Sequence, residues 1–162
     1  PGESGVVEYR TDLPEDLPAM RELFQEYGRS LGIDLSFQGF NEELASLPGK
    51  YAPPQGAVII ARCDDIPCGC VALRRIDATS GEIKRLYVRP QARGRRTGRR
   101  LVEQVILAGR QIGYRRLLLD TLPQMPEARA LYGCFGFRAI PGYHANPLPG
   151  VIYLALDLAP AA

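Results

Sequence analysis

Six arginines and two glycines stand between Arg89 and Arg100, directly ahead of an apolar helical pattern. Gly94 and Gly98 fall between a strand pattern and the first turn of a helix, where backbone N–H groups lack intrahelical partners and the helix dipole favours an anion. Such a loop binds phosphate through its backbone, and the arginines add cationic reach. Two phosphate motifs are excluded: "GRRTGRR" lacks the Gly-Lys-Ser/Thr ending of a Walker loop, and the chain contains no G-x-G-x-x-G. The loop by itself leaves a phosphate site and a merely solvated basic loop equally open. Nucleic acid is disfavoured, because the helix that follows turns its apolar stripe inward and carries Glu103 and Gln104.

The other groups able to do chemistry are sparse. Four cysteines, Cys63, Cys68, Cys70 and Cys134, and one histidine, His144, lack paired Cys-x-x-Cys spacing, so neither a metal site nor a disulfide framework is expected. "CGC" alternates within an apolar run, the usual place of small buried thiols in a reduced cytoplasmic protein. Lys+Arg 20 against Asp+Glu 18 gives a net charge of +2, so the arginine run is a local concentration of charge. General attraction to nucleic acid or membrane is unsupported. No apolar run reaches membrane-spanning length and no signal-peptide core is present; the start at Pro1 leaves a removed leader open. At 162 residues and 46% hydrophobic content, one domain over residues 1–162 is expected, burying roughly 70% of its extended surface.

Hydrophobic periodicity supplies the elements that must position the loop. A strand is expected at 6–10. Leu17, Met20, Phe24 and Tyr27 recur at three, four and three, an amphipathic helix, and a short second helix is expected near 41–47. "GAVIIARC" and "CGCVALRRI" read as strands joined by the turn "DDIP", and "ATSG" turns the chain into the strand "EIKRLYV". In that strand Ile83 is apolar at an odd position, Leu86 and Val88 at even ones. Such a switch marks either a bulge near 84–86 or an imperfect pattern on a strand covered on both faces. Leu101, Val105, Ala108 and Ile112 give a core-facing helix ended by Gly113, then "RRLLLDT" a buried strand, so 82–120 forms strand, loop, helix and parallel strand. Pro126 opens a last helix to about Cys134, "GF" at 136–137 begins a strand, and "VIYLALDL" is another.

"EIKRLYVRPQARGRRTGRRLVEQVI", "LLLDT" and "EARALYGCFGFR", in that order, resemble the GNAT superfamily of acyl-CoA N-acyltransferases over roughly residues 82–140. The family signature, Arg or Gln, two residues, Gly, one residue, Gly or Ala, falls on Arg93 to Gly98, with Arg96 in place of the middle glycine. Met125 stands where many relatives have an asparagine that contacts the cofactor. The resemblance implies an α/β fold, a mixed, mostly antiparallel sheet of about seven strands with about four helices. It also implies acetyl-CoA as co-substrate and acetyl transfer to a primary amine by direct attack in a ternary complex. The backbone of Leu86, Tyr87 and Val88 would pair with the pantetheine arm. Arg93, Gly94, Arg95, Arg96, Thr97, Gly98 and Arg99 would hold the pyrophosphate. The acyl-CoA core would span about 82–134, with acceptor-side segments at 28–46 and 141–150.

By the same resemblance Tyr132 protonates the departing thiolate and Glu82 receives the amine proton through water, with Leu86 N–H as oxyanion donor. A packing tyrosine and a solvated strand-end glutamate are the plain alternatives. Cys134 reads as a filler thiol, since no histidine base stands beside it in sequence. Phe37 and Phe40 could wall the acceptor site, Tyr143 and His144 could face it, and Asp34 and Glu43 could meet a cationic amine. Expected partners are a small-molecule or peptide amine and, in a homodimer, a second copy; nucleic acid and membrane are not. A non-catalytic acyl-CoA-binding or regulatory module on the same fold is the alternative.

Overall fold

The computed structural model describes residues 7–10, 15–32, 39–146 and 148–158. One sheet is built from β1 (Val7–Arg10), β2 (Ala57–Cys63), β3 (Ile66–Arg75), β4 (Ser80–Val88), β5 (Arg116–Thr121), β6 (Arg138–Ile140) and β7 (Ile152–Asp157), in the order β1-β2-β3-β4-β5-β7-β6. Every pairing is antiparallel except β4 with β5, whose parallel register requires the intervening helix to cross over the sheet. The helices are α1 (Leu17–Ser30), α2 (Phe40–Ala45), α3 (Thr97–Ile112) and α4 (Pro126–Cys134). This is the mixed α/β architecture implied by the resemblance. No helix among the described residues is long and apolar enough to cross a membrane.

Strand alternation divides the interior in two. Ile59, Ala61, Val71 and Leu73 face Leu101, Val102 and Val105 of α3 and Tyr132 of α4. Val58, Ile60, Cys70 and Ala72 face Met20, Leu23 and Phe24 of α1. Both faces of β2 and β3 are therefore covered, which is why these strands read as nearly continuous apolar runs. Gly113 ends α3 at φ 103°, with its N–H bonded to Arg110 O and the Tyr114 N–H to Gly109 O, a helix terminus that favours glycine. The hairpin turn is tighter than "DDIP": Asp64 and Asp65 alone form it, both at positive φ, while Ile66 and Pro67 already belong to β3. Likewise Ser80 and Gly81 belong to β4, and β6 starts at Arg138.

The parity switch in β4 is a bulge. Cys70 opposes Tyr87 and Ala72 opposes Lys84, so three steps on β4 match two on β3, and Arg85 takes φ 64°. The extra residue keeps Ile83, Leu86 and Val88 on the α3 side and sends the side chain of Arg85 to the other. There its guanidinium is buried, binds both carboxylate oxygens of Glu43 at 3.0 and 3.1 Å, and lies over the rings of Tyr27 and Phe40. The Tyr51 hydroxyl also donates to Glu43, at 2.8 Å.

Removing one partner of a buried ion pair strands the other charge. Glu43→Leu should therefore lower the unfolding free energy by about 3–5 kcal/mol, and adding Arg85→Met should restore much of it. Denaturant midpoints of the three proteins check this; an unchanged midpoint for Glu43→Leu would show that the pair does not hold the bulge.

Candidate functional site

β4 and β5 pair only from Ser80–Glu82 to Arg116–Leu118, while β5 remains paired with β7 over its whole length. Beyond Glu82 the β5-facing edge of β4 has no neighbouring strand among the described residues. A pocket of about 50 Å³ lies at this parting, lined by Leu86, Asp120, Thr121, Met125, Tyr132 and Asn146 among others. The buried Thr121 hydroxyl has no hydrogen-bond partner among the described residues, the state of a group that a ligand or water would satisfy. The pocket adjoins an open cleft of about 840 Å³, with which it shares Tyr27, Leu86, Met125 and Ala128 as lining. That cleft runs along Leu86, Tyr87 and Val88 to the arginine loop and the start of α3.

Within the loop, Arg93, Gly94, Arg96, Thr97, Gly98 and Arg99 line the cleft and Arg95 does not. Arg93 Nε donates to Val88 O at 3.2 Å, tying the loop to the end of β4. The Thr97 hydroxyl is buried and donates to Ala92 O, so its part is to shape the loop, whereas Thr97, Gly98 and Arg99 line the cleft in the first turn of α3, where backbone N–H groups lack intrahelical acceptors. A Cβ added at Gly98 would lie 3.4 Å from Leu131 and 3.7 Å from Val88, ordinary contacts; glycine or alanine fits, and a branched residue would project into the cleft. The departure at Arg96 is conformational. Arg96 is the N-cap of α3 at φ 59°, a region glycine enters freely and arginine does not.

Tyr132 is buried between α4 and the sheet, edge-on to Phe137, and its hydroxyl reaches the pocket with no hydrogen-bond partner among the described residues. Burial pushes its pKa up, with Tyr27 adding to the effect, so it stays a phenol. Glu82 is almost wholly buried. Arg74 Nε binds one oxygen at 2.7 Å and Tyr143 donates to the other at 2.6 Å, with Lys84 Nζ at 3.8 Å. Burial would raise its pKa, but the Lys84 charge, the Tyr143 hydrogen bond and Arg74 together outweigh it and hold the carboxyl below its ordinary value. Tyr143 is pushed up by burial and by Glu82.

His144 Nε2 meets Asp120 Oδ2 at 2.8 Å and lies 3.9 Å from Glu82, while Nδ1 faces the Ala145 carbonyl at 3.0 Å. Both direct partners are acceptors, so the ring makes both contacts only with a proton on each nitrogen. Ligating atoms of Glu82, Asp120 and His144 lie within 4.8 Å of one another. Arg74 and Tyr143 already take both Glu82 oxygens, which makes this cluster a hydrogen-bonded network more than a metal cage.

A second chamber, about 190 Å³, shares Lys84, Arg85 and Asn146 with the pocket and is bordered by Arg74, Lys50 and His144. Of the acceptor-side expectations, His144 borders this chamber. Tyr143 is turned onto Glu82, and Phe40 packs on Arg85. Glu43 is fully engaged by Arg85 and Tyr51, which corrects its assignment to a cationic amine. Phe37 and Asp34 lie outside the described residues. Asp120, Thr121, Arg74, Lys84 and Asn146 were not singled out from sequence; the polar pair ending "LLLDT" was the one available signal.

The family described as Acetyltransferase (GNAT) domain matches residues 54–139. An uncharacterised N-acetyltransferase of Schizosaccharomyces pombe is 40% identical over 148 residues, 90% of this chain and 91% of the relative. Among solved structures, the PaiA N-acetyltransferase of Thermoplasma acidophilum in complex with coenzyme A superposes with a TM-score of 0.73 at 16% identity, covering 94% of this chain and 99% of that one. YncA, an acetyltransferase from Salmonella typhimurium with its cofactor acetyl-CoA, gives 0.67 at 17% identity, covering 97% and 96%.

A non-glycine residue held at positive φ costs about 1–3 kcal/mol. Arg96→Gly should remove that strain while adding chain entropy to the unfolded state, for a net gain in stability of up to about 1 kcal/mol. Thermal unfolding of the two proteins measures it, and a clear loss of stability would mean that the Arg96 side chain anchors the loop.

Proposed function

The chain belongs to the GNAT acetyltransferase family, and from that premise we propose that it moves the acetyl group of acetyl-CoA to a primary amine by direct attack within a ternary complex. The observation that carries this is the parting of β4 and β5 after Glu82, beside which a strand edge, a pocket lined by Tyr132 and a cleft reaching the helix-terminal N–H groups of the arginine loop adjoin one another. When bound, acetyl-CoA supplies an activated acetyl carbonyl and a thiolate leaving group. The free backbone of Leu86 to Val88 is suited to hold an extended amide-bearing arm as a neighbouring strand would, and the loop from Arg93 to Arg99 to hold a pyrophosphate. Leu86 N–H, released beside the bulge, is the donor for the negative charge that develops on the carbonyl oxygen.

Tyr132 supplies the proton for the thiolate. Burial keeps it a phenol, the form that carries the proton to be given. Glu82, held low by its cationic and hydrogen-bonding neighbours, is a weak base. It acts as a fixed negative charge that favours departure of the amine proton to solvent, with the hydrogen-bonded pair of His144 and Asp120 beside it.

A ligand that binds only the folded state stabilises it by about 2.7 kcal/mol at a hundredfold excess over its dissociation constant. Acetyl-CoA should raise the melting temperature accordingly, and Gly98→Val, which fills the cleft beside the loop, should abolish the rise in a folded protein. Free-thiol release across an amine panel tests the reaction; acetyl-CoA binding without thiol release for any amine would leave only an acyl-CoA-binding module.

Tyr132→Phe keeps the ring and its packing while removing the hydroxyl. The expected result is a kcat lower by about a hundredfold or more with acetyl-CoA affinity retained. Wild-type turnover in this variant, with no pre-steady-state burst to indicate slow product release, would reduce Tyr132 to a packing residue.

A further inference from the structure

We propose that the acceptor is a free amino acid, an amine whose carboxylate is bound in the chamber beside His144 by Lys84 and Arg74. This rests on the acetyl-transfer reading above and names its second substrate. The chamber, about 190 Å³, is large enough to take a small polar molecule.

Its lining is cationic. Lys50, Arg74, Lys84 and Arg85 border it, and the acid among the lining residues is Glu43, both of whose oxygens are taken by Arg85 and Tyr51. Of the two other acids nearby, Glu82 accepts from Arg74 Nε and the Tyr143 hydroxyl, one on each oxygen, and Asp120 meets His144 Nε2. Donors are therefore in excess. Lys84 Nζ lies 3.8 Å from its nearest carboxylate oxygen, beyond hydrogen-bond reach, and makes no hydrogen bond among the described residues. Arg74 spends Nε on Glu82, and its two Nη nitrogens make none either. Asn146 accepts the Leu148 N–H through Oδ1, leaving its amide N–H groups unused among the described residues.

These donors complement a carboxylate, for which a guanidinium edge and an ammonium are the strong partners. Lys84 and Asn146 border the reaction pocket as well as the chamber, so a carboxylate held there keeps the rest of the molecule beside Leu86 and Tyr132. An amine without a carboxylate would set its ammonium against the cations and leave them unpaired. The same field disfavours the ammonium form of the bound acceptor, and the neutral amine is the one that attacks.

The test pairs each amino acid of a panel with its carboxamide and its decarboxylated amine, and measures free-thiol release at saturating acetyl-CoA. The expected result is a kcat/KM at least tenfold higher for the acid than for either partner; equal or better use of the amides and decarboxylated amines would overturn the proposal while leaving acetyl transfer standing. Lys84→Met, whose fold is checked by its acetyl-CoA melting shift, should raise the KM for the acid at least tenfold. An unchanged KM would also overturn it. If no amine is acetylated, melting temperatures with CoA present decide: a rise with the amino acid but not its carboxamide upholds the carboxylate site while acetyl transfer fails, and no rise overturns both.

Discussion

The buried ion pair of Arg85 with Glu43 is the constraint on which the site depends. A bulge residue at positive φ would relax if its side chain were free, but this guanidinium is fixed at both ends of a carboxylate and between two rings. Glu43 in turn is held by Tyr51, whose ring packs edge-on against Phe24 of α1. The core under α1 thus locks a single backbone irregularity in β4. That irregularity sets which way Lys84 and Leu86 point, and with them the walls of both the pocket and the acceptor chamber.

Charge is organised around the same strand. β4 presents Glu82, Lys84 and Arg85 within four residues, each with a different fate: Glu82 filled by Arg74 and Tyr143, Arg85 filled by Glu43, Lys84 left without a hydrogen bond among the described residues. A protein with a net charge of only +2 thereby sets at one internal point an ammonium that feels the Glu82 charge at 3.8 Å yet keeps its hydrogen-bond donors unspent among the described residues. The arginine loop at the other end of the cleft is a second such point, so a molecule lying in the cleft and the chamber meets positive charge at both extremes and apolar walls between.

Much of the scaffold was legible in the sequence because it follows from period. The bulge could be read from the shift between Ile83 and Leu86, and the end of α3 from Gly113, since each is a local rule broken or obeyed. The left-handed Arg96 was not legible, because nothing in an arginine signals positive φ. Nor was the acceptor chamber. Arg74 meets Glu82 only through the β3–β4 register, and His144 meets Asp120 only because a loop after β6 folds back over β5. Those contacts join residues 8 and 24 positions apart, beyond the reach of any local pattern.

The sheet order carries a consequence for how the molecule is made. β7 follows β6 in sequence, yet it lies between β5 and β6, and among the described residues β6 pairs with β7 alone. A chain leaving the ribosome from its N-terminus must therefore present the outer edge of β5 unpaired while α4, β6 and the loop bearing His144 are still being synthesised. Asp120 lies on that waiting edge. Both the histidine that contacts it and the strand that supports it are made after it, so the hydrogen-bonded network is completed only when β7 slots in, and until then the nascent sheet offers the unpaired edge of β5, with its three successive leucines, to any passing partner, a chaperone included.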